Sequence, residues 1–243
     1  MLPASFRFRR ARAALTNAAV VVAAATLVAT PAAGQGQSRK GDVDAILARA
    51  AATYNAARTA TARFEQTLTN PMTGTTSVSR GEFARQQPDR FSFRFTDPAG
   101  DRIVADGSSL WIYTPSATPG QVIKLPLTEA GAGSLDLGAQ FFASPKERFV
   151  IADAGSATVA GRPARVLTLT PRKAGEMFTK ATVWLDAADG TLRQFETVDG
   201  MGIKRRVVVR DLEVNVPVKA ATFTFTPPKG VRVVDRAALT GGR

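Results

Sequence analysis

The sequence predicts a mainly β (α+β) fold: an antiparallel barrel or sandwich of about ten or eleven strands behind one N-terminal helix. Three observations predict it. Apolar and polar residues alternate with period two in segment after segment from Ala62 to Val216. Turn chemistry interrupts that alternation about every eight to twelve residues. A single amphipathic helical stripe precedes it.

That stripe runs over Gly41 to Ala60, where Val43, Ile46, Leu47, Ala50, Tyr54 and Ala57 follow helical spacing. Strands are expected at Ala62 to Thr69, with Phe64, Gln66 and Leu68 on one face, and at Thr75 to Gln86, with Val78 and Phe83. Next comes an aromatic meander. Phe91, Phe93 and Phe95 alternate with Ser92 and Arg94, Asp97-Pro98-Ala99-Gly100 turns, and Arg102 to Ala105 is a short strand. Asp106-Gly107 is a two-residue hairpin signal leading into Leu110-Trp111-Ile112-Tyr113. Two readings of this aromatic face stand at this point: a filled sandwich core, or the wall of a cavity for something apolar.

Gly120 to Leu125 is a further strand, after which the alternation breaks from Thr128 to Arg148. A Gly-rich loop is followed there by Leu135, Leu137, Phe141 and Phe142 in a helix-like turn that stops before Pro145. This segment reads as a lid or as a helix plugging the core. Strands resume at Arg162 to Leu169, Lys180 to Asp186, Thr191 to Val198 and Ile203 to Val216, and Phe223 to Thr226 closes the pattern before Pro227-Pro228. With no internal repeat and no linker, one domain is expected, and this many strands suffices to curl around a lumen.

Residues 1–34 read as a cleavable signal peptide. Arg7, Arg9, Arg10 and Arg12 form the basic region, Ala13 to Ala29 the apolar one, and Pro31-Ala32-Ala33-Gly34 the small-residue cleavage site. The alternative, an uncleaved anchor, lacks a stop-transfer flank. The expectation is a single soluble, exported domain over residues 35–243. The absence of cysteine fits a bacterial periplasm and removes any lipid-acceptor thiol. The absence of histidine removes the commonest general base and the usual zinc ligand, so composition leans against an enzyme. An exported enzyme using carboxylates would draw on Glu65, Asp106, Asp186 or Glu196, each of which also suits a turn or surface role. The net charge of +12 falls to +8 without the four leader arginines, since the first acidic residue is Asp42. A solvated polar face accounts for it, with attraction to an anionic membrane surface or acidic partner as the functional alternative. Nucleic acid is a poor reading without a stacking platform or recognition helix.

Three blocks carry a resemblance. They are Phe64-Glu65-Gln66-Thr67; Gly81-Glu82-Phe83 through Pro88-Asp89-Arg90-Phe91 to Ala105-Asp106-Gly107 and Leu110-Trp111-Ile112-Tyr113; and Phe223-Thr224-Phe225-Thr226-Pro227-Pro228-Lys229-Gly230-Val231. In order and spacing they resemble the outer-membrane lipoprotein carrier family (LolA). The resemblance implies an incomplete antiparallel barrel whose open side is covered by helices over an apolar cavity. It also implies a monomeric periplasmic carrier without cofactor, which takes acylated lipoproteins from an inner-membrane lipoprotein-releasing ABC transporter to the outer membrane or an acceptor there. A LolA-like carrier or sensor of a glycolipid or fatty acid is the alternative.

On this reading Phe64, Leu68, Phe83, Phe91, Phe93, Phe95, Phe141 and Phe142 contact acyl chains, while Leu135 and Leu137 belong to the lid. Phe91 has a second reading, at the mouth against the transporter; Trp111 and Trp184 read as structural. One position departs from the family. An arginine that often precedes the Pro88 equivalent, and is thought to hold the lid through backbone carbonyls, is Gln87 here. A glutamine amide has two donors and no charge, so Gln87 is a weaker latch, or Arg85 or Arg90 takes its place, or the lid is held otherwise.

Overall fold

The computed structural model describes residues 35–128 and 138–235. Helix α1 (Gln35–Ala56) leads into β1 (Thr59–Asn70), β2 (Thr75–Gln86), β3 (Arg90–Asp97), β4 (Ala99–Asp106), β5 (Ser109–Tyr113) and β6 (Gln121–Pro126). Two single-turn helices follow, α2 (Ala139–Phe142) and α3 (Pro145–Arg148). The chain ends in β7 (Phe149–Val159), β8 (Arg162–Pro171), β9 (Lys180–Asp186), β10 (Leu192–Val198), β11 (Lys204–Val214), a 3-10 turn (Ala220–Phe223) and β12 (Arg232–Asp235).

The strands form one open twelve-stranded sheet in the order β12-β6-β5-β4-β3-β2-β1-β11-β10-β9-β8-β7. Every pairing is antiparallel except β12 with β6. The two halves join where β1 pairs with β11, so the first strand lies at the centre. β7 and β12 are the two free edges, which makes the barrel incomplete. Alternate residues of the central strands face one buried side, as in β1, β8 and β9. Register aligns Ala62, Phe83, Phe93, Ile103 and Ile112 in one such row across β1 to β5. Val43, Ile46, Leu47 and Ala50 of α1 share a single core cluster with that face, so the helix closes over it.

Four sequence expectations are corrected. The helix stops at Ala56 rather than Ala60. Ala57 continues the stripe as a buried residue, but Arg58 N–H donates to Asn215 Oδ1 and the Thr59 hydroxyl to Val216 O, which pulls the chain onto β11. The sheet has twelve strands rather than ten or eleven. β7 escaped notice because Asp153, Gly155 and Ser156 break its alternation: as an edge strand, half exposed, it needs no apolar face, and it bulges between Asp153 and Ser156. Phe223 to Thr226 is not a strand. Pro227-Pro228 denies it ladder donors, and it is held by packing instead, with the Phe225 ring 5.7 Å from Trp111 and 5.6 Å from Tyr113.

Candidate lipid-binding interior

The inner face carries two aromatic groups. In the first, the Phe64 ring lies 5.6 Å from Phe93 and 5.3 Å from Phe95, both edge-on. Phe93 lies 4.9 Å from Phe83 and 5.9 Å from Phe91. In the second, Phe141 of α2 lies 5.1 Å from Phe195 and 5.9 Å from Phe178, while Phe142 lies 5.9 Å from Tyr54 of α1. Each tilted pair contributes about 0.5–1.5 kcal/mol beyond its area. Seven of the eight residues expected to meet acyl chains thus reach the interior, six of them buried and Phe95 half-buried. Leu68 shares their face but lies half-buried beyond the core, opposite Ser77 and Arg205. Phe91 is buried at 2% exposure. Leu135 and Leu137 lie outside the described residues.

Between these groups, Tyr54, Ala57, Ala62, Phe83, Phe142 and Leu212 line an apolar cavity of only about 70 Å³. Ligand pockets run to roughly 300–1,000 Å³. Among the described residues the interior is largely filled by its own side chains.

Hydrogen bonds hold α1 over the sheet on both flanks. On one flank, Arg49 donates to Ala187 O and Ala188 O at 3.2 and 3.1 Å, and the Thr53 hydroxyl to Asp189 O at 2.8 Å. Gly190 permits this approach: at φ +75° with Ala50 N 2.8 Å from where a Cβ would stand, no side chain fits. On the other flank, Arg85 Nη1 donates to Tyr54 O at 3.4 Å and Gln87 Nε2 to Asn55 O at 3.1 Å. Both carbonyls belong to the last turn of α1, which has no helical partners for them, and a guanidinium there also complements the helix dipole. The Arg85 guanidinium stacks 4.0 Å above the Tyr54 ring. So Gln87 and Arg85 reach the helix together, while Arg90 lies beside the Gly107 turn.

Comparison with known proteins decides the relationship. The family model "Outer membrane lipoprotein carrier protein LolA" matches residues 55–130 and 144–226. The chain belongs to the LolA family. A LolA-family relative from Halorhodospira halophila, named outer-membrane lipoprotein carrier protein, is 30% identical over 65% of this chain and 70% of its own. One of the same name from Legionella pneumophila strain Lens is 31% identical over 75% of this chain and 86% of its own. An uncharacterized conserved protein from Thermus thermophilus has the same fold at TM-score 0.51 and 15% identity, over 79% of this chain and 98% of that one.

In the second aromatic group of this LolA-family chain, sequence reasoning found Phe141 and Phe142 but missed Phe178 and Phe195. Phe195 was recoverable, since it alternates with Gln194 and Glu196 in β10; Phe178, in a loop without periodicity, was not. The four acids considered for catalysis have structural partners. Glu65 pairs with Arg80 and Glu196 with Arg206. Asp106 builds its hairpin turn by accepting from Ser108 N, Ser109 N and Trp111 Nε1, each at 2.8 Å. Burial opposes its ionisation, yet those donors hold its pKa down at about 2. Asp186, almost fully buried, accepts from Arg162 Nε at 2.5 Å and Arg193 Nε at 3.1 Å. The Arg162 hydrogen bond, opposed by burial and aided by Ala188 N and Arg193, lowers its pKa to about 2.

A carboxyl group with a depressed folded-state pKa stabilises the fold fully above its ordinary value, and that stability is lost as pH falls through the folded one. Asp186 should therefore cost the protein about 2 kcal/mol between about pH 4 and pH 2. Asp186→Asn should flatten that part of the stability–pH curve measured by urea titration, and an unchanged slope would refute the assignment.

Proposed function

We propose that the protein is a periplasmic carrier that binds the acyl chains of lipoproteins released from the inner membrane and delivers them to the outer membrane. The observation that carries this reading is the apolar, self-filled interior. An aromatic inner face of the sheet is covered by α1 and α2, and the two phenylalanines of α2 fill the space against Phe195 and Tyr54. Leaving an acyl chain of about 15 methylenes in water costs on the order of 12 kcal/mol, so transfer through an aqueous compartment requires a protein that buries it. Release requires that the gain be largely offset. Here an entering chain displaces Phe141 and Phe142 from the same apolar surroundings, so one apolar occupant replaces another. The hydrogen bonds from Arg85 and Gln87 to α1 are the latch that opens. The names of the relatives support lipoprotein as cargo. Phe64, Phe83, Phe91, Phe93 and Phe95 form the wall and Leu68 its margin, with Leu135 and Leu137 assigned to the lid from sequence. An inner-membrane ABC transporter is the donor.

Mass spectrometry of the protein purified from envelope membranes tests this. A co-purifying triacylated lipoprotein is expected. It should be absent from Phe95→Asp, a half-buried position, in a variant whose circular dichroism spectrum is expected to match that of the wild type. Undiminished loading of that variant would remove Phe95 from the wall, and a free fatty acid or glycolipid in place of lipoprotein would overturn the cargo.

A further inference from the structure

The three methionines among the described residues all stand in solvent. Met72, Met177 and Met201 are 80%, 59% and 65% exposed, the reverse of where large apolar side chains belong. The strand order gathers them. β2 with β1, β11 with β10, and β9 with β8 are adjacent hairpins of one antiparallel sheet, so the three connecting turns emerge at the same end. Contacts tie these turns together. A Cβ on Gly202 would stand 3.3 Å from Pro71 Cγ, joining the first to the second. Thr179 N–H donates to Val198 O at 2.7 Å and its hydroxyl to the same oxygen at 3.0 Å, joining the second to the third. The turn that holds α1, Asp189-Gly190, leaves the sheet at the opposite end.

The charge at this rim is net positive. Lys180 and Lys204 both lie opposite Val198, and Lys173 lies in the third turn. All three are exposed, and the only lysine ion pair among the described residues is Lys146 with Asp44. The nearby carboxylates are occupied: Asp199 accepts from Met201 N and Ile203 N, and Glu176 pairs with Arg148. Polarisable thioethers surrounded by unpaired ammonium groups match a bilayer interface, where the apolar tips enter the headgroup layer and the lysines meet lipid phosphate. A second copy fits poorly, because apposing the same face would set lysine against lysine.

We propose that this methionine- and lysine-bearing rim docks the protein on an anionic membrane surface, whatever cargo the interior takes. Vesicle sedimentation tests it, with phosphatidylcholine alone against equal parts phosphatidylcholine and phosphatidylglycerol. Binding is expected only to the anionic vesicles. Lys173→Gln, Lys180→Gln and Lys204→Gln together should weaken it about a hundredfold, at about fivefold per lysine. Met72→Ser, Met177→Ser and Met201→Ser together should weaken it at least about tenfold, with the melting temperature unchanged. Equal binding to both vesicles, no binding, or wild-type binding by either triple variant overturns the proposal. So does a wild-type dimer in gel filtration that the serine variant converts to monomer. Cargo recovered by the serine variant should equal that of the wild type, which separates this docking from the acyl-binding interior.

Discussion

Phe141→Ala should produce a large loss of stability, about 3–5 kcal/mol, seen as a fall of roughly 10 °C in melting temperature for a domain of this size. The ring is fully buried and touches Phe142, Phe178 and Phe195. Removing it opens a cavity in a region already holding a void of about 70 Å³. α2 has four residues, too few to be helical by itself, so its position depends on what its side chains grip. The same variant should therefore bind an apolar dye more strongly at temperatures where the sheet is still folded. A melting temperature within about 2 °C of wild type would mean that α2 is not anchored by this ring.

Gly138→Ala should destabilise the closed form by about 1–3 kcal/mol, as overpacking does. Gly138 precedes α2 with φ −106° and ψ −40°, a conformation any residue adopts, so its backbone does not require glycine. Space does: an added Cβ would stand 2.2 Å from Tyr54 Cδ2 and 2.3 Å from Cε2. The ring must swing away, and with it goes the surface that Arg85 stacks on and Phe142 touches. A double-mutant cycle checks the cause. With Tyr54→Ala in the background, Gly138→Ala should cost almost nothing more, and a full additive penalty would place the conflict elsewhere.

These two positions mark the limit of what alternation conveys. The wall was legible because Phe91, Phe93 and Phe95 differ in type from Ser92 and Arg94, and period-two geometry then puts them on one face. Asp106-Gly107 was legible because its turn chemistry is local, and Asp106 accepts from residues two to five positions on. Gly138 gave no sign of its role, since the ring it accommodates belongs to a helix far away in the chain. β12 was illegible for a related reason: four residues hold their place only by pairing with β6. Arg85 has the same parity as Phe83 on β2, but a charged residue on an inner face reads as an exception until α1 presents its last carbonyls to it.

By itself the sequence determined the strand-rich architecture, the apolar stripe of α1, the aromatic face and the family resemblance. Those depend on residue type and near-neighbour spacing. Tertiary structure alone decided that the described interior is filled by its own side chains, that Phe178 and Phe195 receive Phe141, that Arg85 and Gln87 share the last turn of α1, and that three exposed methionines meet at one end. Each of these joins side chains from distant segments, and only strand order and register set which of them come within reach.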